Sequence, residues 1–175
     1  MSYKPEAGPP LLTLKDLAAR VALSSSAEMV SRAARQVRHW TQNDLLRPYG
    51  GKKETGTGTP RLYLEDPTVE IAVILMELAR YGATIDIMKP VADVLYDNDD
   101  EAWNSLFLAT TDEGTAFMQV SWNVDRKTGA FTDAKIHFFD TVDNGEPIGP
   151  DEKSASSILI NLNKLFERIY SARSR

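Results

Sequence analysis

Pro48, and the four glycines that follow it between Tyr49 and Pro60, divide the first half of this 175-residue chain. Proline has no N–H to donate and clashes with the preceding turn, so Pro48 is expected to bar continuation of the helix before it. On one side of this break lies a helical pattern studded with arginines, ending in Leu45-Leu46-Arg47-Pro48. On the other lies a loop rich in glycine and threonine that carries Lys52 and Lys53. The loop closes on Arg61-Leu62-Tyr63-Leu64, which alternates like a short strand. The spacing predicts a helix, a break, and two strands bracketing a basic tip.

The helix opens at the serines of positions 24–26, where Ser25 and Glu28 have the spacing of a capping box, and runs to about Asn43. Val30, Ala33, Ala34 and Val37 form its apolar face, with Trp40 at the edge. At ~100° per residue, Arg32, Arg35, Gln36 and His39 fall opposite and Arg38 on the flank. Arginine can pair bidentately with guanine, and glutamine with adenine. An exposed polar face that contacts nothing has the same spacing, so spacing alone leaves both readings open.

Charge is unevenly spread. The chain is acidic, with a net charge of −5. Yet Arg32, Arg35, Arg38, Arg47, Lys52, Lys53 and Arg61 face only Asp44 and Glu54 within residues 31–63, a net of +5. Residues 97–175 carry 8 Lys/Arg against 14 Asp/Glu, a net of −6. Such a local patch is the electrostatic footprint of a nucleic-acid face, and also of a merely solvated loop. The glycine-rich loop does not match the G-x-x-x-x-G-K-[ST] spacing of a phosphate-binding loop.

Thr13 and Asp16 form another capping-box pattern, predicting a helix over roughly 13–21 with Leu14, Leu17, Ala18 and Val21 on one face. Asp66-Pro67 starts a helix that buries Ile71, Ile74, Leu75 and Leu78 and stops at Gly82. Thr84 opens a fourth, which Pro90 should kink or shorten. The run Asp97–Glu101 reads as an acidic linker, since it lacks the ligand spacing of a calcium loop. Residues 102–109 read as a helix or the start of a strand. Beyond them, residues 115–124 and 130–139 alternate around the turn 125–129 and predict a hairpin. Lys153 to about Ala172 reads as a last helix. Its residues Ala155, Ile158, Leu162, Leu165 and Ile169 have the 3, 4, 3, 4 spacing of a heptad seam. That seam suits dimerisation or packing across the hairpin. The expected class is α+β: a tail over 1–11, a helical DNA-binding domain over 12–96, a linker over 97–101 and a hairpin-plus-helix domain over 102–175.

Val37-Arg38-His39-Trp40, Leu45-Leu46-Arg47-Pro48, Arg61-Leu62-Tyr63-Leu64-Glu65-Asp66 and Leu78-Ala79-Arg80-Tyr81-Gly82-Ala83-Thr84-Ile85 occur in that order. Together, over about residues 12–96, they resemble the DNA-binding domain of the MerR family of transcription regulators. Thr59-Pro60 stands where the family has Gly-Tyr, and His39 where tyrosine is common. Metal sensing in the family uses cysteines, and this chain has none, so that activity does not carry over. The resemblance implies a winged helix-turn-helix that binds double-stranded DNA, as a homodimer on a two-fold site. Arg32, Arg35, Gln36 and His39 would face bases or nearby phosphates. Arg38, Arg61, Lys52 and Lys53 would hold phosphate. Tyr63 would pack the wing and offer its hydroxyl. RNA polymerase or a small-molecule effector is left open as a further partner.

Three function classes follow: a transcription regulator, a protein-docking winged helix without DNA binding, and a small-molecule sensor with Trp103, Trp122 and Phe138 around a pocket. No Ser-His-Asp order, metal-ligand spacing or paired carboxylates mark an enzyme, so neither catalytic residue, cofactor nor metal is expected. No apolar run reaches the roughly 18 residues of a membrane span, and a cytoplasmic protein is expected.

Overall fold

The computed structural model describes residues 8–22, 24–51, 60–97, 115–125, 127–128, 131–140 and 154–170. The protein is mixed α and β: helices with a two-stranded sheet, then a three-stranded antiparallel sheet and a helix. The chain divides into two compact units, Met1–Ala72 and Val73–Arg175.

The first unit begins with strand β1 (Leu11–Thr13), which starts at the last residue of the expected tail and was not expected as a strand. Leu12 is buried there, which gives the strand its anchor. Thr13 then caps helix α1 (Leu14–Val21) with the expected reciprocal pair. Its hydroxyl accepts from Asp16 N–H at 3.2 Å, and Asp16 Oδ2 accepts from Thr13 N–H at 3.3 Å. Helix α2 (Ala27–Gln42) packs against α1. Its cap is Ser26 rather than Ser25: the Ser26 hydroxyl accepts from Met29 N–H at 3.3 Å. The hydroxyl of Ser24 in turn accepts from Ser26 N–H at 3.4 Å and so braces the cap.

After α2 the chain turns on Asp44, at φ 59°, a left-handed conformation that Asp tolerates better than most residues. That turn sends Leu45 and Leu46 into the core, where both are fully buried. Strand β2 (Leu62–Leu64) pairs with β1, Thr13 opposite Leu62 and Leu11 opposite Leu64. This differs from the expected hairpin, in which β2 would pair with the chain just before the glycine-rich loop. That segment gives β2 one backbone bond, from Tyr49 N–H to Leu62 C=O at 2.8 Å. The basic tip at Lys52 and Lys53 lies outside the described residues. A 3.2 Å ion pair from Arg20 to Glu65 ties α1 to the end of β2.

Helix α3 (Thr68–Arg80) follows Asp66-Pro67 as expected, starting in the first unit and continuing in the second. It ends in two bonds, Ala83 N–H to Leu78 C=O and Gly82 N–H to Ala79 C=O, each 3.1 Å. Gly82 sits at φ +85°, so this is a Schellman stop, and glycine is the residue that adopts it without strain. Helix α4 (Ile85–Asp97) buries Met88, Val91, Ala92 and Leu95. Pro90 does not cut it short: seven residues of helix follow.

Strands β3 (Ala116–Val124) and β4 (Phe131–Asp140) form the expected hairpin. Asp125 Oδ1 nucleates its turn by accepting from Lys127 N–H at 2.7 Å and Thr128 N–H at 3.2 Å. The expected last helix is corrected. Its first half is strand β5 (Ser154–Asn161), paired antiparallel to β3, which is therefore the central strand. Among the described residues of that segment, Leu162–Tyr170 is helical, α5. Met118, Val120 and Trp122 are buried at alternate positions of β3. Trp122 Nε1–H donates to Ile87 C=O of α4 at 3.1 Å, giving its buried indole the partner it needs. Trp122 is thus committed to the core, while Trp103, the element expected over 102–109 and most of the acidic run fall outside the described residues.

Candidate functional site

The exposed side of α2 follows from which side is buried. Ala33, Val37, Trp40 and Thr41 are turned inward. Opposite them, Arg32, Arg35 and His39 are exposed. Among the described residues, neither Arg32 nor Arg35 has an ion-pair partner. His39 is steadied by Asn43, whose amide donates to His39 C=O at 2.8 Å and lies 3.3 Å from Nδ1. Gln36 is half-buried, on the flank of α2 opposite to Arg38.

Arg38 belongs to a second feature. It lines an open groove of about 480 Å³ with Gln42, Arg61, Pro60, Thr13, Leu14 and Lys15. The β1–β2 register explains why these segments meet. Thr13 lies opposite Leu62, so the residues just beyond the ladder, Leu14 and Lys15 on one side and Arg61 and Pro60 on the other, leave it at the same end. The end of α2 is held beside them through Tyr63. Thr41 Oγ1–H donates to Val37 C=O at 2.8 Å, so across the 2.9 Å contact Tyr63 O–H must donate to Thr41 Oγ1. Arg38 and Gln42 lie three residues before and one after Thr41, on the adjoining flank. The groove thus joins three cations from three elements: Lys15 on α1, Arg38 on α2 and Arg61 before β2. Among the described residues, neither Arg38 nor Arg61 has an ion-pair partner. Asp16, the carboxylate of the same turn as Lys15, is not a lining residue. Its hydrogen bonds from the Thr13 side chain and backbone hold its pKa below the ordinary 3.8.

Tyr63 is the site residue that the structure withdraws. It is fully buried and its hydroxyl is used inside the unit, so it is a positioning residue and not a contact. Lys52 and Lys53 lie outside the described residues. Lys15 and Gln42 were missed. A periodicity reading treats each helix alone, and only the long-range strand pairing brings Lys15 to the groove.

The seam expected over Ile158, Leu162, Leu165 and Ile169 does not exist as one helical stripe. Ile158 stands on β5, opposite Val120. Leu162 and Leu165 are on α5 and are already buried within the single chain. Ile169 also lies in α5. The β-branched Ile158 and Ile160 favour a strand, and Asn161 starts the helix with Oδ1 accepting from Lys164 N–H at 3.0 Å. That cap was readable in Asn161-Leu162-Asn163-Lys164.

Chemically, these guanidinium and ammonium groups can hold anions: guanidinium in a planar fork that matches phosphate, carboxylate or a guanine edge. Among the described residues no cluster of three or more His, Asp or Glu could hold a metal ion. Nor is any helix among them long and apolar enough to cross a membrane. Comparison with protein-family models, with curated proteins and with solved structures returns no match.

Proposed function

We propose that the chain is a MerR-like winged helix-turn-helix protein that binds double-stranded DNA sequence-specifically and regulates transcription. The observation that carries this reading is the row Arg32, Arg35 and His39. The row is exposed on one side of a 16-residue helix whose other side is buried, and among the described residues neither arginine is neutralised by an ion pair. The major groove of B-form DNA admits such a helix. Arg35, at the middle of the row, would read a base edge, with Arg32 and His39 beside it. Arg38 and Arg61 would take phosphate. The two-fold dimer that the resemblance implies remains part of the proposal, without the heptad seam as its basis.

Binding to duplex DNA across a salt series tests it. Affinity should fall steeply with salt, and an Arg35→Ala, Arg61→Ala double variant should lose at least about tenfold, from ~1–3 kcal/mol per base contact. Flat salt dependence, or native affinity in the double variant, overturns the reading in favour of a protein-docking domain. Duplexes selected from a random pool should show a two-fold protection pattern.

A further inference from the structure

We infer that the groove bounded by Lys15, Arg38 and Arg61 is the seat of one DNA strand's sugar-phosphate backbone, beside the major groove that α2 would enter. This rests on the DNA-binding reading and deepens it. It adds α1 to the interface and assigns the groove a sequence-independent role.

Three observations converge. First, the cations come from separate elements yet border one open groove of about 480 Å³. Lys15 and Arg38 are exposed and Arg61 is half-buried, so the charge faces an accessible space. Second, the lining is mixed in chemistry: Leu14 and Pro60 add apolar surface to the three cations. A nucleic-acid backbone is mixed likewise, with apolar deoxyribose between anionic phosphates. A single small anion needs no such apolar ground. Third, Arg38 stands about 60° around the α2 axis from Arg35, at 3.6 residues per turn. A helix lying in the major groove carries a backbone strand along its flank, and this is the flank that holds the groove. On the other side of Arg35, Arg32 stands about 60° around the axis, beside the half-buried Gln36. Contacts to phosphate fix register and orientation and carry no direct sequence information.

The test uses the full chain with Lys15→Ala and Arg38→Ala, a duplex selected from a random pool and an unrelated duplex, titrated over a salt series. Both side chains are exposed, so thermal midpoints should stay near the native value. Each variant should weaken binding to both duplexes by the same factor. Each should also reduce the log-log salt slope by roughly 0.9, the loss of one phosphate contact. Arg35→Ala, in contrast, should weaken the selected duplex more than the unrelated one. Lys15→Arg, which keeps the charge, should keep the native slope. Native binding with unchanged slopes in Lys15→Ala and Arg38→Ala overturns this inference alone, as does a loss confined to the selected duplex. Absence of duplex binding by the native chain overturns the DNA reading and this inference with it.

Discussion

Thr41 and Tyr63 decide the geometry of the first unit with two hydroxyls. Thr41 uses its proton on Val37 C=O, so Tyr63 supplies the proton between them. The pair is buried, and the two members are not equivalent. Thr41→Val strands the Tyr63 hydroxyl, which should cost about 1–3 kcal/mol. Tyr63→Phe leaves Thr41 still bonded to Val37, so it should cost less, about 0.5–1.5 kcal/mol. In the Tyr63→Phe background, Thr41→Val should become cheaper than it is alone. Chemical denaturation of the four proteins measures this coupling, and strict additivity would show that the contact contributes nothing. The sequence showed Tyr63 only as one beat of a short alternation, and an exposed phenol fitted that as well as a buried one. What buries it is the pairing of β2 with Leu11–Thr13, three residues too short to announce themselves and distant in the chain.

At the scale of elements, local signals were read well where one residue does one job. The Thr13–Asp16 box, Gly82 and the Asp125 turn each act over three or four positions, and each stands where the pattern put it. The start of α2 was less determinate, because three consecutive serines offer the same hydroxyl. Glu28 pointed to Ser25, but the backbone enters the helix one residue later. Ser26→Ala should therefore cost about 1 kcal/mol, as loss of a helix cap does. Ser25→Ala should stay within about 0.5 kcal/mol. Thermal unfolding of the two single variants separates these outcomes, and the reverse order would return the cap to Ser25. The C-terminal misreading had another cause. A strand of period two that runs into a helix of period 3.6 can mimic a heptad for two repeats, as Ala155 to Leu165 do. Only the β5–β3 register separates the two readings.

For the whole molecule, the division of charge matters more than its sum. The basic groups of the candidate interface belong to the unit Met1–Ala72, whereas residues 97–175 carry the net −6. If Lys15, Arg32, Arg35, Arg38 and Arg61 each displace a counterion, the log-log salt slope should be roughly −4 to −5. Lys127 and Lys164, exposed in the second unit, should contribute nothing to it. Replacing both by Ala should leave the slope of the full chain unchanged, and a shallower slope would place the second unit on the DNA. Composition made this asymmetry legible from the start. It did not disclose that Arg38 and Arg61 share one groove with Lys15, since that depends on three elements meeting.

The ladder of β1 and β2 also sets an order of events as the chain folds. Its rungs join residues roughly fifty positions apart, while α1 and α2 are neighbours in sequence. The entropy of closing so long a loop must be met before those rungs can form, so local helix pairing precedes the ladder. A nascent or partly unfolded first unit can hold both helices and still lack the place where Lys15, Arg38 and Arg61 meet. The groove is therefore a late product of folding, present only once the two ends of the motif have found each other.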